Sequence, residues 1–127
     1  MHGKFTGFLI LHPEDSNYWK VLSPLQYRTK DGIKIIIPKN FLTDFASVPR
    51  ILWNILPPWG GYGKAAIMHD YFYYSGMFSK EMSDLIFLEA METLKVKKWK
   101  RCVMYYSVKY FGFIAWSNHR KNSGLRG

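Results

Sequence analysis

The stretch IKIIIPKNFLTDFASVPR, Ile33 to Arg50, lies where the sequence changes from strand-like to helical spacing. Before it, the runs KFTGFLIL, YWKVL and LQYRT are short, β-branched and aromatic, and turn-forming dipeptides separate them. Such runs predict strands, and Asp31-Gly32 ahead of IKIIIP predicts a hairpin. Because the connections are so short, we expect the strands to pair antiparallel.

The residues after Pro38 predict helices. Ser47 as an N-cap and Pro49 in the first turn favour a short apolar helix that ends at Pro57-Pro58. Further helices are predicted from Lys64 to Ser75, closed by Gly76, from Lys80 to Leu94, capped by Ser79, and from Lys97 to Asn118. We therefore expect one α+β domain over residues 1–127: a small N-terminal antiparallel sheet (1–40), a C-terminal bundle of three to four helices (41–118) and a flexible basic tail (119–127).

The last predicted helix carries apolar and aromatic residues at helical spacing, and we expect this stripe to face the core. Its members are Trp99, Cys102, Val103, Tyr106, Tyr110, Phe113 and Ile114. Since Cys102 is the single cysteine, an internal disulfide framework and a cysteine-based zinc site are excluded. Cys102 is expected to fill a gap in the core.

The net charge of +9 belongs to the last quarter of the sequence. Residues 1–94 hold nine bases and all nine acids, which cancel, whereas residues 95–127 hold nine bases and no acid. Such a segment is typical of a surface that meets phosphates, anionic lipid or an acidic protein, with solubility as the alternative. The candidate anion-binding residues are Lys97, Lys100 and Arg101. Nucleic acid is the least favoured partner, because no recognised binding motif is present.

The N-terminal sequence predicts synthesis in the cytoplasm. Its apolar stretch, Phe8 to Leu11, is too short for the core of a signal peptide. The longer apolar run, Cys102 to Trp116, is shorter than a membrane span and is interrupted by Lys109.

The segment AAIMHDYFYY, Ala65 to Tyr74, places an imidazole and a carboxylate in an apolar run. On the next predicted helix Asp84 shares a stripe with Phe87 and Met91, where an unpaired carboxylate would be costly. We expect Asp84 to pair with His69 across two antiparallel helices. A carboxylate that fixes the tautomer of a histidine suits a general base, so His69 and Asp84 are the candidate catalytic residues.

Asp70 and Asp44 are the candidate metal ligands. Asp70 is rotated about 100° from His69 on a helix, so the two side chains can address one point at a helix edge. With Asp44 and nearby carbonyls, Asp70 would form an oxygen-rich cation site, for calcium first and for zinc or manganese as alternatives. In the alternative interpretation, Asp84 belongs to a buried structural network and Asp70 only closes a helix end. Arg50 would pair with Asp44 or Asp70, or bind a substrate phosphate.

FLTDFASVPRILWNILPPWGGYGKAAIMHDYFYY, followed by SKEMSDLIFLEAM, resembles the signature of a phage and prophage family called domain of unknown function 1353. The pattern joins a Phe-x-Thr-Asp-x-Ala-Ser-Val-Pro-Arg block to Ala-Ala-x-x-His-Asp-x-x-Tyr and a later Asp, and it covers about residues 27–116. The resemblance implies a viral or prophage origin and supplies no activity. It also implies synthesis in a host cell, incorporation in a virion, and a phage virion or host envelope component as partner.

AAIMHDYFY is also similar to the active-site helix of secreted phospholipases of the A-two type, Cys-Cys-x-x-His-Asp-x-Cys-Tyr. This similarity implies that His69 activates water, that Asp70 binds calcium and that Asp84 orients the histidine. The three cysteines are replaced by Ala65, Ala66 and Phe72.

Two interpretations of function follow. The first is a phospholipase-like or other hydrolase that acts on an ester or amide of the cell envelope. The second is a non-catalytic virion or tail-associated module, in which the same polar cluster supports an interaction surface.

Overall fold

The computed structural model of the chain describes residues 3–14, 18–45, 47–49, 52–54 and 61–126, with side chains up to residue 121. These residues form strands in the N-terminal half and helices in the C-terminal half, so the α+β prediction is confirmed. The strands are β1 (Lys4–Thr6), β2 (Leu11–Pro13), β3 (Trp19–Val21), β4 (Leu25–Arg28), β5 (Lys34–Ile37) and β6 (Leu42–Thr43). The helices are α1 (Gly63–Ser75), α2 (Lys80–Thr93), α3 (Lys98–Phe111) and α4 (Phe113–Arg126).

The strands form two three-stranded antiparallel sheets, with the orders β1-β4-β5 and β2-β3-β6. Strands β4 and β5 form the predicted hairpin, whose turn contains Gly32 at a φ of +91°. In this hairpin Tyr27 lies opposite Ile35, and both are fully buried, while Lys34 and Ile36 are exposed. The alternation gives the sheet one face toward the core and one toward solvent.

Helix α1 is the centre of the helical half and packs against α2, α4 and β6. Most of its residues are buried, on all sides of the helix, as in a core helix. The helix ends as predicted at Gly76, which adopts a left-handed φ of +67° and donates its N–H to the carbonyl of Phe72 at 2.8 Å. The cap predicted for α2 is also confirmed, since Ser79 Oγ accepts the N–H of Met82 at 3.1 Å.

The prediction of a single last helix from Lys97 to Asn118 is wrong in two respects. The helix divides at Gly112 into α3 and α4, and α4 extends to Arg126. A Cβ on Gly112 would lie 2.4 Å from the carbonyl oxygen of Val108 and 2.7 Å from the hydroxyl of Tyr73. Glycine suits this position because the carbonyl of Val108 on α3 and the hydroxyl of Tyr73 on α1 leave too little room for a side chain.

The stripe of α3 that was predicted to face the core is exposed. Its helical members Trp99, Cys102, Val103, Tyr106 and Tyr110 face solvent, as do Phe113 and Ile114 on α4. The core side of α3 is instead the narrow face of Met104 and Val108, both fully buried. The physical reason is packing: α3 contacts α2 and α4 on that narrow side, and the core beneath is already filled by α1.

The short helix predicted after Ser47 lies partly outside the described residues, which leave out 50–51 and 55–58 and with them Pro57 and Pro58. The described part makes turns, with the N–H of Leu52 bonded to the carbonyl of Pro49 at 3.0 Å. Ser47 Oγ is buried and has no hydrogen-bond partner among the described residues. The N–H that a cap at Ser47 would bond belongs to Arg50, which lies outside them, so the capping role stays a prediction. Over the part of the chain that the structure describes, no helix combines the length and apolarity needed to cross a membrane.

Candidate functional site

His69 on α1 and Asp84 on α2 form the predicted pair. His69 Nε2 lies 2.7 Å from Asp84 Oδ1, and the two residues are only 0% and 2% exposed. The imidazole packs against the rings of Tyr73 and Phe87, with ring centroids 4.3 and 4.5 Å away. The predicted bond between two antiparallel helices is therefore confirmed.

Asp84 is the centre of a larger network than the sequence indicated. Its Oδ1 also accepts the hydroxyl of Tyr73 at 2.7 Å, and its Oδ2 accepts Lys80 Nζ at 2.8 Å. Burial alone would raise the pKa of Asp84, but the hydrogen bond and charge of His69, then the bonds from Lys80 and Tyr73, outweigh it and hold this pKa below its ordinary value. Asp84 is thus an ionised acceptor at neutral pH.

This network fixes the tautomer of His69. Because a carboxylate only accepts hydrogen bonds, Nε2 must carry the hydrogen toward Asp84, and in the neutral ring the lone pair then lies on Nδ1. His69 Nδ1 is buried, and none of the residues that the structure describes gives it a hydrogen-bond partner. An unpaired basic nitrogen, oriented by a carboxylate at the far side of its ring, is chemically suited to accept a proton.

Lys80 links the network to α3. Besides Asp84, its ammonium donates to the carbonyl oxygens of Val108 at 2.9 Å and Lys109 at 3.2 Å. These carbonyls belong to the last turns of α3, where a positive charge also complements the helix dipole. The ion pair therefore connects α1, α2 and α3 through Asp84.

Asp70 faces a different part of the fold. Its Oδ2 accepts the hydroxyl of Thr43 on β6, and its Oδ1 accepts the backbone N–H of Ser47 at 3.2 Å. Between these two partners Phe45 adopts a left-handed φ of +57°, which is costly for a bulky residue. Asp70 therefore holds both ends of a strained turn.

Burial raises the pKa of Asp70, and the nearby charge of Asp44 raises it further, while the bonds from Thr43 and Ser47 oppose the shift. Because burial is the largest of these effects, the pKa of Asp70 stays above its ordinary value. The buried carboxyl of Asp70 therefore ionises less readily than an ordinary aspartate.

Asp44 and Asp70 line a common cleft of about 600 Å³. The other lining residues are Tyr18, Pro38, Lys39, Asn40, Phe41, Leu42, Tyr71, Tyr74 and His119. The structure therefore brings the two candidate metal ligands together, but His69 and Asp84 are not among the residues that line this cleft. The expectation that His69 and Asp70 address one point is wrong, since one bonds to α2 and the other to β6 and the turn after it. Among the described residues, no group of three or more His, Cys, Asp and Glu side chains forms a metal centre.

The predicted anion-binding residues lie apart from the His69–Asp84 pair, which we call the dyad. Lys97 precedes α3, and Lys100 and Arg101 lie in its first turn, where Arg101 donates to the carbonyl of Val96 at 2.8 Å. Lys80 reaches α3 at Val108, which lies seven residues beyond Arg101, or roughly 10 Å along the helix. Arg50 lies outside the described residues.

Sequence reasoning missed Lys80 and Tyr73 as members of the network. Both carried a signal: Lys80 lies four residues before Asp84, and Tyr73 lies four residues after His69, so each shares a helix face with its partner. Thr43 had no such signal, because its contact with Asp70 joins residues 27 positions apart.

Comparison with known proteins assigns the chain to a sequence family. The sequence profile described as "Protein of unknown function (DUF1353)" matches residues 19–108, which include Asp44, His69, Asp70 and Asp84. The "Uncharacterized protein y4jT" of Sinorhizobium fredii (strain NBRC 101917 / NGR234) is 29% identical over 96 residues, which are 74% of this chain. The chain spans 29% of the length of that relative. No solved structure matches the chain. Because the profile covers most of the sequence, including the whole of the His69–Asp84 pair, the chain belongs to the DUF1353 family.

Proposed function

We propose that this chain is a hydrolase in which His69 activates water for attack on an ester or amide of the cell envelope. The observation that carries the proposal is the unpartnered Nδ1 of His69, opposite an Nε2 that is bonded to Asp84 at 2.7 Å. A buried nitrogen without a partner is uncommon, because it loses hydration and gains nothing in return. A reacting water would supply the missing bond.

The chemistry requires the ring to accept and then release one proton. His69 Nδ1 would take a proton from water while the hydroxide oxygen bonds to the substrate carbonyl, and the proton would then pass to the leaving oxygen or nitrogen. The imidazolium formed between these steps is stabilised by the charge of Asp84. Lys80 and Tyr73 would keep that carboxylate in place through their bonds to its two oxygens.

Water must reach a residue that is 0% exposed. Ala65 and Ala66 lie one turn before His69 on α1, and both have small side chains that are themselves fully buried. The proposal therefore requires that substrate binding displaces side chains packed over the His69 imidazole before the reaction.

We also propose that Asp44 and Asp70 hold a divalent cation in the cleft. Two carboxyl groups that line one cleft, with the charge of Asp44 raising the pKa of Asp70, are a suitable donor pair for a hard cation, calcium first, with manganese or zinc as alternatives. When bound, the cation would supply positive charge to a substrate oxygen. Asp70 would keep its bonds to Thr43 and Ser47 and thereby orient its carboxylate.

The test of hydrolysis is a panel of chromogenic esters and amides with the purified chain and its His69→Gln variant. Glutamine can still donate an N–H toward Asp84 but cannot act as a base at neutral pH. We expect activity to fall at least a hundredfold, the usual contribution of a general base. His12→Gln on β2, an exposed histidine, is the matched control and should leave activity unchanged. A folded wild-type protein that hydrolyses none of these substrates would argue against the proposal.

The test of the cation site is thermal unfolding with and without millimolar calcium, manganese or zinc. A bound cation stabilises the folded state by mass action, so the melting temperature should rise. Asp70→Asn should remove the increment, whereas Asp31→Asn in the β4–β5 turn should keep it. Calorimetry that detects no heat of binding with any of the three ions would refute the site.

A second candidate function is a non-catalytic virion or tail-associated module. The observation that favours it is the complete burial of His69 away from the cleft, which suits a network that stabilises helix packing. The chain would then be made in a host cytoplasm, be incorporated in a virion and contact a virion or host envelope component. Under this proposal the chain co-sediments with phage particles, and His69→Gln lowers stability without removing an activity.

A further inference from the structure

Helix α3 presents a continuous apolar face to solvent. Trp99, Val103, Tyr106 and Tyr110 follow one another at spacings of four, three and four residues, which places them on one side of the helix. They are 54%, 39%, 51% and 60% exposed, and the opposite side contains the fully buried Met104 and Val108. We call these four residues the α3 aromatic face.

Basic residues border this face on both sides. With a rotation of about 100° per residue, Lys98 and Lys109 fall along one edge and Lys100 along the other. Lys109 Nζ lies 5.9 and 5.6 Å from the ring centroids of Tyr106 and Tyr110. Lys100 Nζ lies 5.7 Å from the ring of Trp99. Lys100 and Lys109 therefore reach toward the aromatic face rather than away from it.

We propose that the α3 aromatic face docks on an anionic membrane surface, with the helix lying in the plane of the interface. This inference is independent of the proposed hydrolase activity. Trp and Tyr rings have an apolar body and a polar edge, which suits the headgroup region of a bilayer. Lysines at the borders of the face would extend their ammonium groups to lipid phosphates, as in interfacial amphipathic helices.

Charge decides between the membrane and a second copy of the chain. Every charged residue from position 95 to 127 is basic, nine in all, so two copies that meet through α3 would bring like charges together. An anionic surface is complementary to the same residues. The spacing of the apolar residues also fits a helix–helix interface, but the lysine borders oppose self-association.

The first test measures binding to vesicles of phosphatidylcholine with and without phosphatidylglycerol. We expect binding that requires phosphatidylglycerol and weakens with added salt. The triple change Lys98→Gln, Lys100→Gln and Lys109→Gln should lower the partition coefficient about a hundredfold, since each base near an anionic bilayer contributes roughly fivefold. The control triple is Lys4→Gln, Lys30→Gln and Lys34→Gln, which removes the same charge from exposed positions on β1, the β4–β5 turn and β5.

The second test concerns the rings. Tyr106→Gln with Tyr110→Gln should weaken binding to the same vesicles, whereas Phe8→Gln with Ile36→Gln should not, although those side chains are also exposed. Brominated phosphatidylglycerol should quench the fluorescence of the wild-type protein more than that of Trp99→Phe, because Trp99 enters the interface.

Four results would overturn the inference. The first is no binding to phosphatidylglycerol vesicles at low salt, and the second is binding that both variants retain in full. The third is a wild-type dimer in sedimentation that the tyrosine double variant dissociates, which would assign the face to a second copy. Complete displacement of the protein from vesicles by polyglutamate, with no quenching by brominated lipid, would assign it to an acidic protein.

Discussion

Replacing Asp84 with alanine tests how far the three-helix network stabilises the fold. The carboxylate accepts His69 Nε2, the hydroxyl of Tyr73 and Lys80 Nζ, all within 2.8 Å. Its loss leaves two donors that are fully buried, and it leaves Lys80, whose side chain is 21% exposed, with only the two carbonyls of α3. The His69 imidazole and the Tyr73 hydroxyl are fully buried and cannot turn to bulk water without moving a helix.

The magnitude follows from the burial of the pair. Removing one member of a buried, hydrogen-bonded ion pair costs about 3–5 kcal/mol. For a domain of 127 residues, each kcal/mol corresponds to about 3–5 °C in melting temperature. We therefore expect Asp84→Ala to lower the melting temperature by about 10–20 °C.

The assay is urea unfolding at pH 7, followed by circular dichroism, with a thermal scan beside it. Glu92→Ala, on an exposed position of the same helix, is the matched control and should change the free energy of unfolding by less than about 0.5 kcal/mol. Asp84→Asn should fall between the two, because an amide oxygen can accept some of the three bonds but brings no charge toward Lys80.

The pH dependence of the stability provides a second test of the Asp84 network. The pKa of Asp84 is lower in the folded state than in the unfolded chain, so its contribution is present above about pH 4 and is lost as the pH falls through the folded value. The stability difference between wild type and Asp84→Ala should therefore shrink in acid. A difference below about 1 kcal/mol at pH 7, or one that stays constant from pH 7 to 2, would show that the Asp84 carboxylate does not stabilise the fold through its three bonds.

Three further changes test separate parts of the structure. The pKa of Asp70 is higher in the folded state than in the unfolded chain, so wild type should lose stability relative to Asp70→Asn as the pH rises above about 4. Parallel pH profiles of the free energy of unfolding in urea would contradict this. Gly112→Ala should cost about 1–3 kcal/mol, because the new Cβ meets the carbonyl of Val108 and the hydroxyl of Tyr73; a neutral effect in a thermal scan would show that α4 can shift. Ser79→Ala should cost about 1 kcal/mol through the lost cap of α2, with unchanged stability as the contrary result.

The features that the sequence predicted correctly have local causes. The Asp31-Gly32 turn, the left-handed Gly76 and the Ser79 cap each depend on a few neighbouring residues and on backbone geometry. The His69–Asp84 bond spans 15 residues, yet it also followed from a local rule, because a carboxylate in an apolar helical stripe needs a partner on the next helix.

The orientation of α3 could not be predicted in the same way. The helix has apolar residues on two opposite sides, and periodicity reveals a stripe without showing what covers it. The wider stripe, with Trp99, Tyr106 and Tyr110, is the exposed one, and the narrow pair of Met104 and Val108 packs inward. Which side is buried depends on how much room α1 and α2 leave, and that is a property of the assembled core.

The separation of His69 from Asp70 also depends on how the core is assembled, and it has the largest consequence for function. On a surface helix, adjacent polar residues share the one solvated edge, so the sequence favoured a common site. Helix α1 is buried on all sides, and its consecutive residues therefore meet different elements: His69 meets α2, and Asp70 meets β6 and the turn at Phe45. The dyad and the cleft are two sites on one helix, and their tests are independent. If the cation raises stability while His69→Gln leaves hydrolysis unchanged, the cleft functions without the dyad, and the dyad is structural.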